Sequence, residues 1–192
     1  PDFTRRMAKC GAAVIRYPPF FAEKLPAKAA KIHEAVSGCG EQLGIQYQTV
    51  SSVQDPKAPE SQIEQWLLEH SESHAQAELA SAQCLTGPHK DDLQITINGT
   101  AARGFASQGQ TRTAALALKF AERQIMKDDC GEYPVMLLDD VLSELDGRRQ
   151  EFLIQKAGGG QVVITCCERT ERLRQLDATA FFVEKGTVRP MA

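Results

Sequence analysis

The chain has 192 residues, of which 42% are hydrophobic and 24% are charged. This composition is typical of a globular protein with one medium domain or two small ones. No apolar run approaches the roughly 20 residues that a membrane-spanning helix needs, so no membrane association is predicted. The chain opens with PDFTRRMAKC, without an initiator Met or the apolar core of a signal peptide. We therefore expect it to be cut from a longer parent.

Six cysteines are scattered along the chain, and none stands in a C-x-x-C motif or at zinc-ligand spacing from a histidine. Scattered thiols are typical of a reducing compartment, so we expect free thiols and a cytoplasmic protein. The cysteines are Cys10, Cys39, Cys84, Cys130, Cys166 and Cys167.

Charge is distributed unevenly, although the net charge is only −3. Residues 1–31 carry seven basic and two acidic side chains, residues 32–100 carry two basic and ten acidic ones, and the remainder balances at thirteen each. A basic opening helix could contact DNA phosphates. The other interpretation is an ordinary solvated helix face. The candidate contacts are Arg5, Arg6, Lys9 and Arg16.

The first 85 residues are predicted to be mostly helical. Apolar residues at helical spacing predict a helix over Asp2–Ser37, which the two prolines after Tyr17 should break. Weak alternation predicts a short strand over Leu43–Val50, and a second helix is predicted over Glu60–Ala82. This part contains no phosphate-binding glycine motif.

A hairpin and a long helix are predicted next. Leu93–Ile97 alternates and is followed by Asn98-Gly99, a strong hairpin signal because both residues accept the positive φ of a type I′ turn. Ala101–Phe105 is the predicted return strand. The helix predicted over Thr111–Lys127 is largely apolar and should be buried on most sides.

The remaining chain alternates strands with helices, which indicates a layered α/β lobe. Val135–Asp139 and Gln161–Thr165 are predicted to be adjacent parallel strands, covered on both faces because they are rich in apolar residues. Between them, Asp146 can cap a helix over Arg148–Lys156. The last predicted elements are a short helix near Arg169–Leu176 and a hairpin of Thr179–Val183 with Thr187–Arg189.

The most informative segment is VMLLDDVLSELD, residues 135–146. An apolar strand is predicted to end in two buried carboxylates, Asp139 and Asp140, and buried acids usually require a cationic partner. In P-loop NTPases this is the Walker B element, whose first acid holds Mg²⁺ and whose next residue positions or deprotonates the attacking water. The other interpretation is that both acids cap or form salt bridges locally.

A second segment, SQGQTRT at residues 107–113, leads into the long predicted helix. Ser107 is a good N-cap, and Gly109 lets a ligand approach the backbone. Free amides and the helix dipole make such an N-terminus an anion site. The plain interpretation is helix capping without a ligand.

The order of these segments along the chain is a more specific signal than any one of them alone. A hairpin, S-Q-G-Q opening a long helix, a strand ending in Asp-Asp, and S-E-L-D together resemble the signature motif, Walker B and D-loop of ABC-type ATPases. GPHKDD, SQGQTRTAALALK and LLDDVLSELD are similar to the RecF family of bacterial DNA-repair ATPases, within the SMC branch. The resemblance is strong over Gly87–Val188 and looser over Pro1–Ala82.

The resemblance implies an α/β fold in two parts. Residues 86–192 would form the signature and Walker B half of an ABC-type ATPase head, and residues 1–85 a mostly helical arm domain. It also implies that Asp139 holds Mg²⁺, that Asp140 is the catalytic acid, that the signature contacts the γ-phosphate of an ATP held by a second subunit, and that the D-loop crosses the dimer seam. The signature residues are Ser107, Gln108, Gly109 and Gln110, and the D-loop is Ser143, Glu144, Leu145 and Asp146.

The same resemblance implies a parent protein that is a weak ATPase, binds ATP, Mg²⁺ and DNA, and forms an ATP-dependent homodimer. Similar proteins serve DNA replication, repair, recombination and the SOS response. They act at gaps where single-stranded and duplex DNA meet, and they help to load a recombinase together with RecR and RecO-like proteins.

Three departures from the family pattern matter. No G-x-x-x-x-G-K-[ST] occurs, so the phosphate loop is expected upstream, and this chain alone should neither hydrolyse ATP nor bind it tightly. Thr165-Cys166-Cys167 stands where most ABC ATPases carry the switch histidine, which RecF-like proteins also tend to lack. Lys90 stands where the family commonly has Arg, and it keeps the charge without bidentate geometry. His89 has no metal-spaced partner and is predicted to be structural.

Two other classes of function remain open. An ABC transporter nucleotide-binding subunit normally shows L-S-G-G-Q and an Asp-Glu pair, whereas this chain has S-Q-G-Q and Asp-Asp. A non-catalytic dimerisation module would carry out no nucleotide chemistry, so the parent protein would show no chelator-sensitive response to Mg²⁺ and ATP.

Overall fold

The computed structural model describes residues 2–16, 18–38, 40–49, 53–167, 173 and 178–191. Its helices are α1 (Asp2–Arg16), α2 (Pro18–Ser37), α3 (Glu60–Ser81), α4 (Ala102–Phe105), α5 (Gln108–Cys130) and α6 (Gly147–Ala157). Its strands are β1 (Leu43–Gln48), β2 (Asp92–Ile97), β3 (Thr100–Ala101), β4 (Met136–Asp139), β5 (Val162–Thr165), β6 (Phe181–Glu184) and β7 (Thr187–Pro190). The mixed α/β class is the one expected from the sequence. None of the helices in these ranges combines the length and the apolar character that crossing a bilayer requires.

The first two helices pack against different partners. As predicted, the helical region is divided near position 17, since α1 ends at Arg16 and α2 begins at Pro18. α1 packs against α3 around a small core in which Ile15, Ile63 and Leu67 are fully buried. α2 instead contributes Leu25 and Ala29 to a core with α5 and the first sheet.

β1, β2 and β3 form an antiparallel sheet in which Leu43 lies opposite Ile97. The predicted turn between β2 and β3 is confirmed, because Asn98 has a φ of 52° and Gly99 a φ of 78°. The Asn98 carboxamide also accepts a hydrogen bond from the amide of Gln42 at 2.8 Å, which ties the turn to the start of β1.

The predicted return strand of this hairpin is longer than the observed one. Only Thr100 and Ala101 pair with β2, and the chain then enters the short helical turn α4 instead of continuing to Phe105 as a strand. Gly104 lies at a φ of 86° inside that turn, a conformation that glycine adopts without steric cost. The chain is thereby redirected toward the start of α5.

The long helix α5 begins at Gln108, three residues before its predicted start. Small side chains such as Ala114 and Ala117 pack into a core shared with α2, β1 and β2. On a neighbouring side, Leu116 and Phe120 belong to a second core with β4 and α6. α5 is therefore the element that joins the two cores.

β4 and β5 are adjacent parallel strands, with Met136 beside Val162, and Asp139 is the last residue of β4, as predicted. The prediction that both faces are covered is wrong for this chain. Met136 and Leu138 are buried against α5 and α6, but Leu137 is 73% exposed and Val163 is 47% exposed. The reason is that no layer of described residues packs on the outer face.

β6 and β7 form the predicted hairpin around Lys185-Gly186 as a separate two-stranded sheet. The short helix predicted near 169–176 lies, apart from Leu173, outside the described residues. The domain division predicted between residues 85 and 86 stays a prediction. The pairing of β1 with β2 runs across that position.

Candidate functional site

The site begins at the N-terminus of α5, where the signature segment (Ser107–Gln110) forms a capping box. The Ser107 hydroxyl accepts a hydrogen bond from the Gln110 amide at 3.2 Å, and the Gln110 side-chain oxygen accepts one from the Ser107 amide at 2.9 Å. Ser107 is thus the N-cap that the sequence predicted. Among the described residues, the amides of Gln108 and Gly109 have no acceptor. Two free N–H groups therefore stand at the positive end of a long helix, which suits an anion.

Gly109 needs no special conformation, because its φ is not positive. A Cβ built on it would lie 3.6 Å from Nη2 of Arg149, which is ordinary van der Waals contact. The packing of this chain therefore does not require glycine at position 109. Its absent side chain leaves room for something outside the chain to approach the helix N-terminus.

Asp139, the last residue of β4, and Asp140, which follows it, are both exposed rather than buried as predicted. As on the outer face of the sheet, no layer of described residues covers them. Asp139 accepts a hydrogen bond from the Thr165 hydroxyl at 2.5 Å. The Asp140 amide donates to the Thr165 carbonyl at 3.2 Å and to its hydroxyl at 3.0 Å. Thr165, at the end of β5, thus orients both residues.

Asp140 has a backbone φ of 49°, the left-handed region that residues other than glycine seldom enter. Asp tolerates it better than most residues, and such strain is concentrated at functional sites. The Ser143 hydroxyl donates to the Asp140 carbonyl at 2.9 Å and so stabilises the 3₁₀ turn Val141–Glu144 that follows. Asp140 is therefore held at a sharp change of direction with its carboxylate in solvent.

The D-loop segment (Ser143–Asp146) leads into α6. Leu145 is buried in the second core, and the side chain of Glu144 lies outside what the structure describes. Asp146 is the N-cap of α6 and accepts hydrogen bonds from the amides of Arg148 at 3.1 Å and Arg149 at 3.0 Å. These backbone hydrogen bonds, and the nearby Arg149 guanidinium, lower the pKa of Asp146. The cap predicted from the sequence is confirmed.

Arg149 connects the D-loop segment to the signature segment. Its guanidinium bonds the Asp146 carboxylate and donates through Nε to the hydroxyl of Thr113 at 2.6 Å. Thr113 is fully buried, and its hydroxyl donates in turn to the Gly109 carbonyl at 2.7 Å. The two segments are therefore one connected unit inside a single chain.

The motifs did not reveal three contacts that organise this site. Glu41 bonds Gln110, Arg149 bonds Thr113, and Thr165 bonds Asp139. The two residues of each pair are distant in sequence. Local spacing could have suggested only Arg149, which stands three residues after the predicted cap Asp146 on the same helical face.

The remaining predicted residues are placed as follows. Arg5, Arg6 and Lys9 are exposed on α1, and the side chain of Arg16 lies outside the described part. His89 lies 3.1 Å from the Cys84 carbonyl, in keeping with a structural role. Within the described ranges, no three His, Cys, Asp or Glu residues are grouped to hold a metal ion. The described cysteines are free thiols, and Cys39 is outside the description.

No family model matches the chain, but individual proteins of known sequence and structure do. A relative from Clostridium tetani, the DNA replication and repair protein RecF, is 36% identical over 186 residues, covering 96% of this chain and 50% of that protein. A solved structure of the recombination mediator protein RecF-ATP in the RecFOR pathway matches with a TM-score of 0.78 and 34% identity, covering 99% of this chain and 49% of that one.

A third match concerns the fold alone. The SMC head bound to the C-terminal winged-helix domain of ScpA superposes with a TM-score of 0.52 at 14% identity, over 88% of this chain and 42% of that one. This chain thus shares its fold with part of that head. The chain spans about half the length of the curated relatives that it matches.

Proposed function

Because the chain belongs to the RecF family and spans about half the length of the members that it matches, we propose that it is the signature and Walker B half of an ATP-dependent DNA repair and recombination protein. The arm at residues 1–85 precedes the head half at 86–192 in this proposal. The family favours this function over that of a transporter subunit.

One observation carries the proposal: the contact of Arg149 with Thr113, which joins the D-loop segment to the signature segment. A helix cap needs no such connection, since Ser107 and Asp146 already cap their own helices. A nucleotide bound between two heads does need it, because both segments must meet the partner as one surface. The hydrogen bond between Arg149 and Thr113 holds the two segments in this relative position before a nucleotide binds.

ATP binding by this chain is proposed to occur in trans. The free amides of Gln108 and Gly109, with the hydroxyl of Ser107, would face the γ-phosphate of an ATP held by a second head. The side chain of Gln110 does not face the phosphate, since its oxygen accepts a hydrogen bond from the Ser107 amide and closes the cap. ATP would thereby stabilise a homodimer, because whatever binds only the dimer shifts the equilibrium toward it.

Asp139 is the residue that fits a Mg²⁺ ligand. One of its carboxylate oxygens is held by Thr165, and the other has no hydrogen-bond partner among the described residues. Mg²⁺ is commonly bound by one or two carboxylates together with substrate phosphates, so a single aspartate here is sufficient. Mg²⁺ bound there would neutralise charge on the phosphate oxygens. The next residue, Asp140, is the proposed acceptor of a proton from the attacking water.

The phosphate loop is proposed to reside in the half of the RecF protein that this chain does not span. The outer face of the β4–β5 sheet, with Leu137 and Val163 exposed, would pack against that half. This chain alone is then inactive, and the whole protein is a weak ATPase of the cytoplasm.

The proposed partners of the whole protein are DNA at single-strand gaps and junctions, and RecR and RecO-like proteins. Arg5, Arg6 and Lys9 on α1 are proposed phosphate contacts.

The test compares the isolated chain with a RecF protein that contains it as its carboxyl-terminal half. The whole protein should show Mg²⁺-dependent ATP turnover, and the isolated chain none. Asp140→Asn should reduce turnover by about 10² or more while ATP binding is kept, the scale of general-base losses. Glu151→Gln, an exposed acid on α6, is the matched control and should be neutral. Turnover by the isolated chain, or wild-type turnover in Asp140→Asn, would contradict the proposal.

A further inference from the structure

Gln110 is held on both sides of its carboxamide. Its oxygen accepts from the Ser107 amide at 2.9 Å, and its nitrogen donates to the carboxylate of Glu41 at 2.8 Å. Glu41 lies in the segment between α2 and β1, 69 residues away along the chain. The cap of the signature helix is thus tied to the arm side of the molecule.

The chemistry of these partners allows one orientation of the Gln110 carboxamide. The Ser107 amide can only donate, and an ionised carboxylate can only accept. If the carboxamide were rotated by 180°, its NH₂ group would face a donor and its oxygen would face a carboxylate. Glu41 therefore selects the orientation of the Gln110 carboxamide in which its oxygen faces the Ser107 amide and the capping box closes. The Ser107 amide alone would select that orientation less strongly.

Behind Glu41 stands His33 of α2, which is fully buried. Its Nε2 lies 3.7 Å from the second carboxylate oxygen of Glu41, and that oxygen and both ring nitrogens make no hydrogen bond to a described residue. Burial lowers the pKa of His33, against the opposing effect of the Glu41 carboxylate, while Arg149 lowers it further. The ring is therefore neutral near pH 7 and does not compete with Gln110 for the charge of Glu41.

Buried polar groups without partners are costly, and both ring nitrogens of His33 and one carboxylate oxygen of Glu41 are such groups. The other Glu41 oxygen accepts from Gln110, and that contact accounts for a carboxylate at position 41. A closer approach of α2 by a few tenths of an ångström would bring His33 into hydrogen-bonding distance of Glu41. The position of α2 thus bears directly on the carboxylate that orients Gln110.

We propose that Glu41 is a positioning residue for the signature segment: it orients the Gln110 carboxamide, closes the capping box, and so aims the free amides of Gln108 and Gly109 at an incoming phosphate. This inference rests on the proposed function for its consequence, which is dimerisation on ATP. Its structural half, the closed cap, can be measured without ATP.

The first measurement is hydrogen exchange of the Ser107 amide in this chain. Glu41→Ala should raise the exchange rate of that amide by about tenfold, the order of effect expected for the loss of one hydrogen bond. Glu41→Gln keeps an acceptor and should restore most of the protection. Glu34→Ala, an exposed acid on α2, is the matched control and should change nothing. An unchanged Ser107 rate in Glu41→Ala overturns the proposal.

The second measurement is the dimer dissociation constant of the whole RecF protein with ATP, in the Asp140→Asn background. Glu41→Ala should weaken dimerisation by about tenfold, the order of effect expected for the loss of one hydrogen bond, and leave ATP binding by the monomer unchanged. In a Gln110→Ala background the same change should add little, because Glu41 acts through Gln110. Full additivity of the two changes would overturn the proposal. The exchange rate of the Ser107 amide could rise in Glu41→Ala while the whole RecF protein fails to dimerise on ATP. That result would support the positioning role of Glu41 and contradict the proposed function.

Discussion

The first two sheets of this molecule differ in how their two faces are covered. On the β1–β2 sheet, Leu43 and Ile97 are buried beneath α2 and α5, and the other face carries glutamines such as Gln48 and Gln94, which bond each other at 2.9 Å in solvent. On the β4–β5 sheet the inner face is equally buried, but the outer face carries Leu137. The outer face of the first sheet is polar, so it can remain exposed to solvent. The second has an apolar outer face, so another layer of protein is needed to complete it.

The difference shows which faces of the two sheets the described residues cover. A strand that is polar on one face needs one covering layer, whereas a strand that is apolar on both needs two. The described residues provide one layer to each sheet. The candidates Asp139 and Asp140 stand at the carboxyl end of β4, in the sheet whose outer face the described residues leave exposed.

The largest effect should separate the inner and outer faces of the second sheet. Leu153 of α6 is fully buried against the inner face, and Leu153→Ala should lower the free energy of unfolding by about 2–5 kcal/mol. Leu137→Ala, on the outer face, should cost within about 0.5 kcal/mol in this chain. Urea unfolding of both variants decides it. A cost for Leu137→Ala near that of Leu153→Ala would mean that the outer face is already covered.

A smaller effect is expected at the turn of the complete sheet. Asn98 occupies the left-handed region and accepts a hydrogen bond from the Gln42 amide. Asn98→Ala should therefore destabilise the chain by about 1–2 kcal/mol, the cost of that backbone conformation for an ordinary residue. Asn98→Gly is the matched control, since glycine tolerates the turn. Equal unfolding midpoints for the Ala and Gly variants would show that the hairpin does not depend on this turn.

The smallest effect concerns the cap of α6 and depends on pH. Asp146→Ala should cost about 1 kcal/mol at pH 7, and Asp146→Asn clearly less, because Asn is also a good N-cap. The pKa of Asp146 is lowered in the folded state, so its ionised form is stabilising above about pH 4 and that contribution is lost as pH falls through the folded pKa. Thermal unfolding should show the gap between wild type and Asp146→Ala closing in acid. A gap that is constant down to pH 2 would exclude the ionised cap.

Local features of the fold were predictable from the sequence. The caps at Ser107 and Asp146 and the turn at Asn98 are signalled by residue types that are close together in the sequence, and all three are where they were predicted. The return strand failed because a turn at Gly104 overrides the alternation that follows the hairpin.

Contacts between distant segments were not predictable. Thr165 meets Asp139 across 26 residues, and Glu41 meets Gln110 across 69, and no periodicity encodes either pairing. The exposure of Asp139 was missed for another reason. The pattern of β4 predicts two covering layers, whereas the described residues supply only the inner one.

The central claim is that the signature segment acts on a second head, and one measurement tests it directly. In a RecF protein carrying this chain and Asp140→Asn to block hydrolysis, Ser107→Arg should leave ATP binding by the monomer intact. It should abolish the ATP-dependent dimer in sedimentation, because the side chain fills the seam and removes the cap hydroxyl. Ser107→Thr keeps that hydroxyl and should dimerise. If Ser107→Arg sediments as a dimer as stable as that of the Asp140→Asn protein, Ser107 merely caps a helix and the claim is wrong.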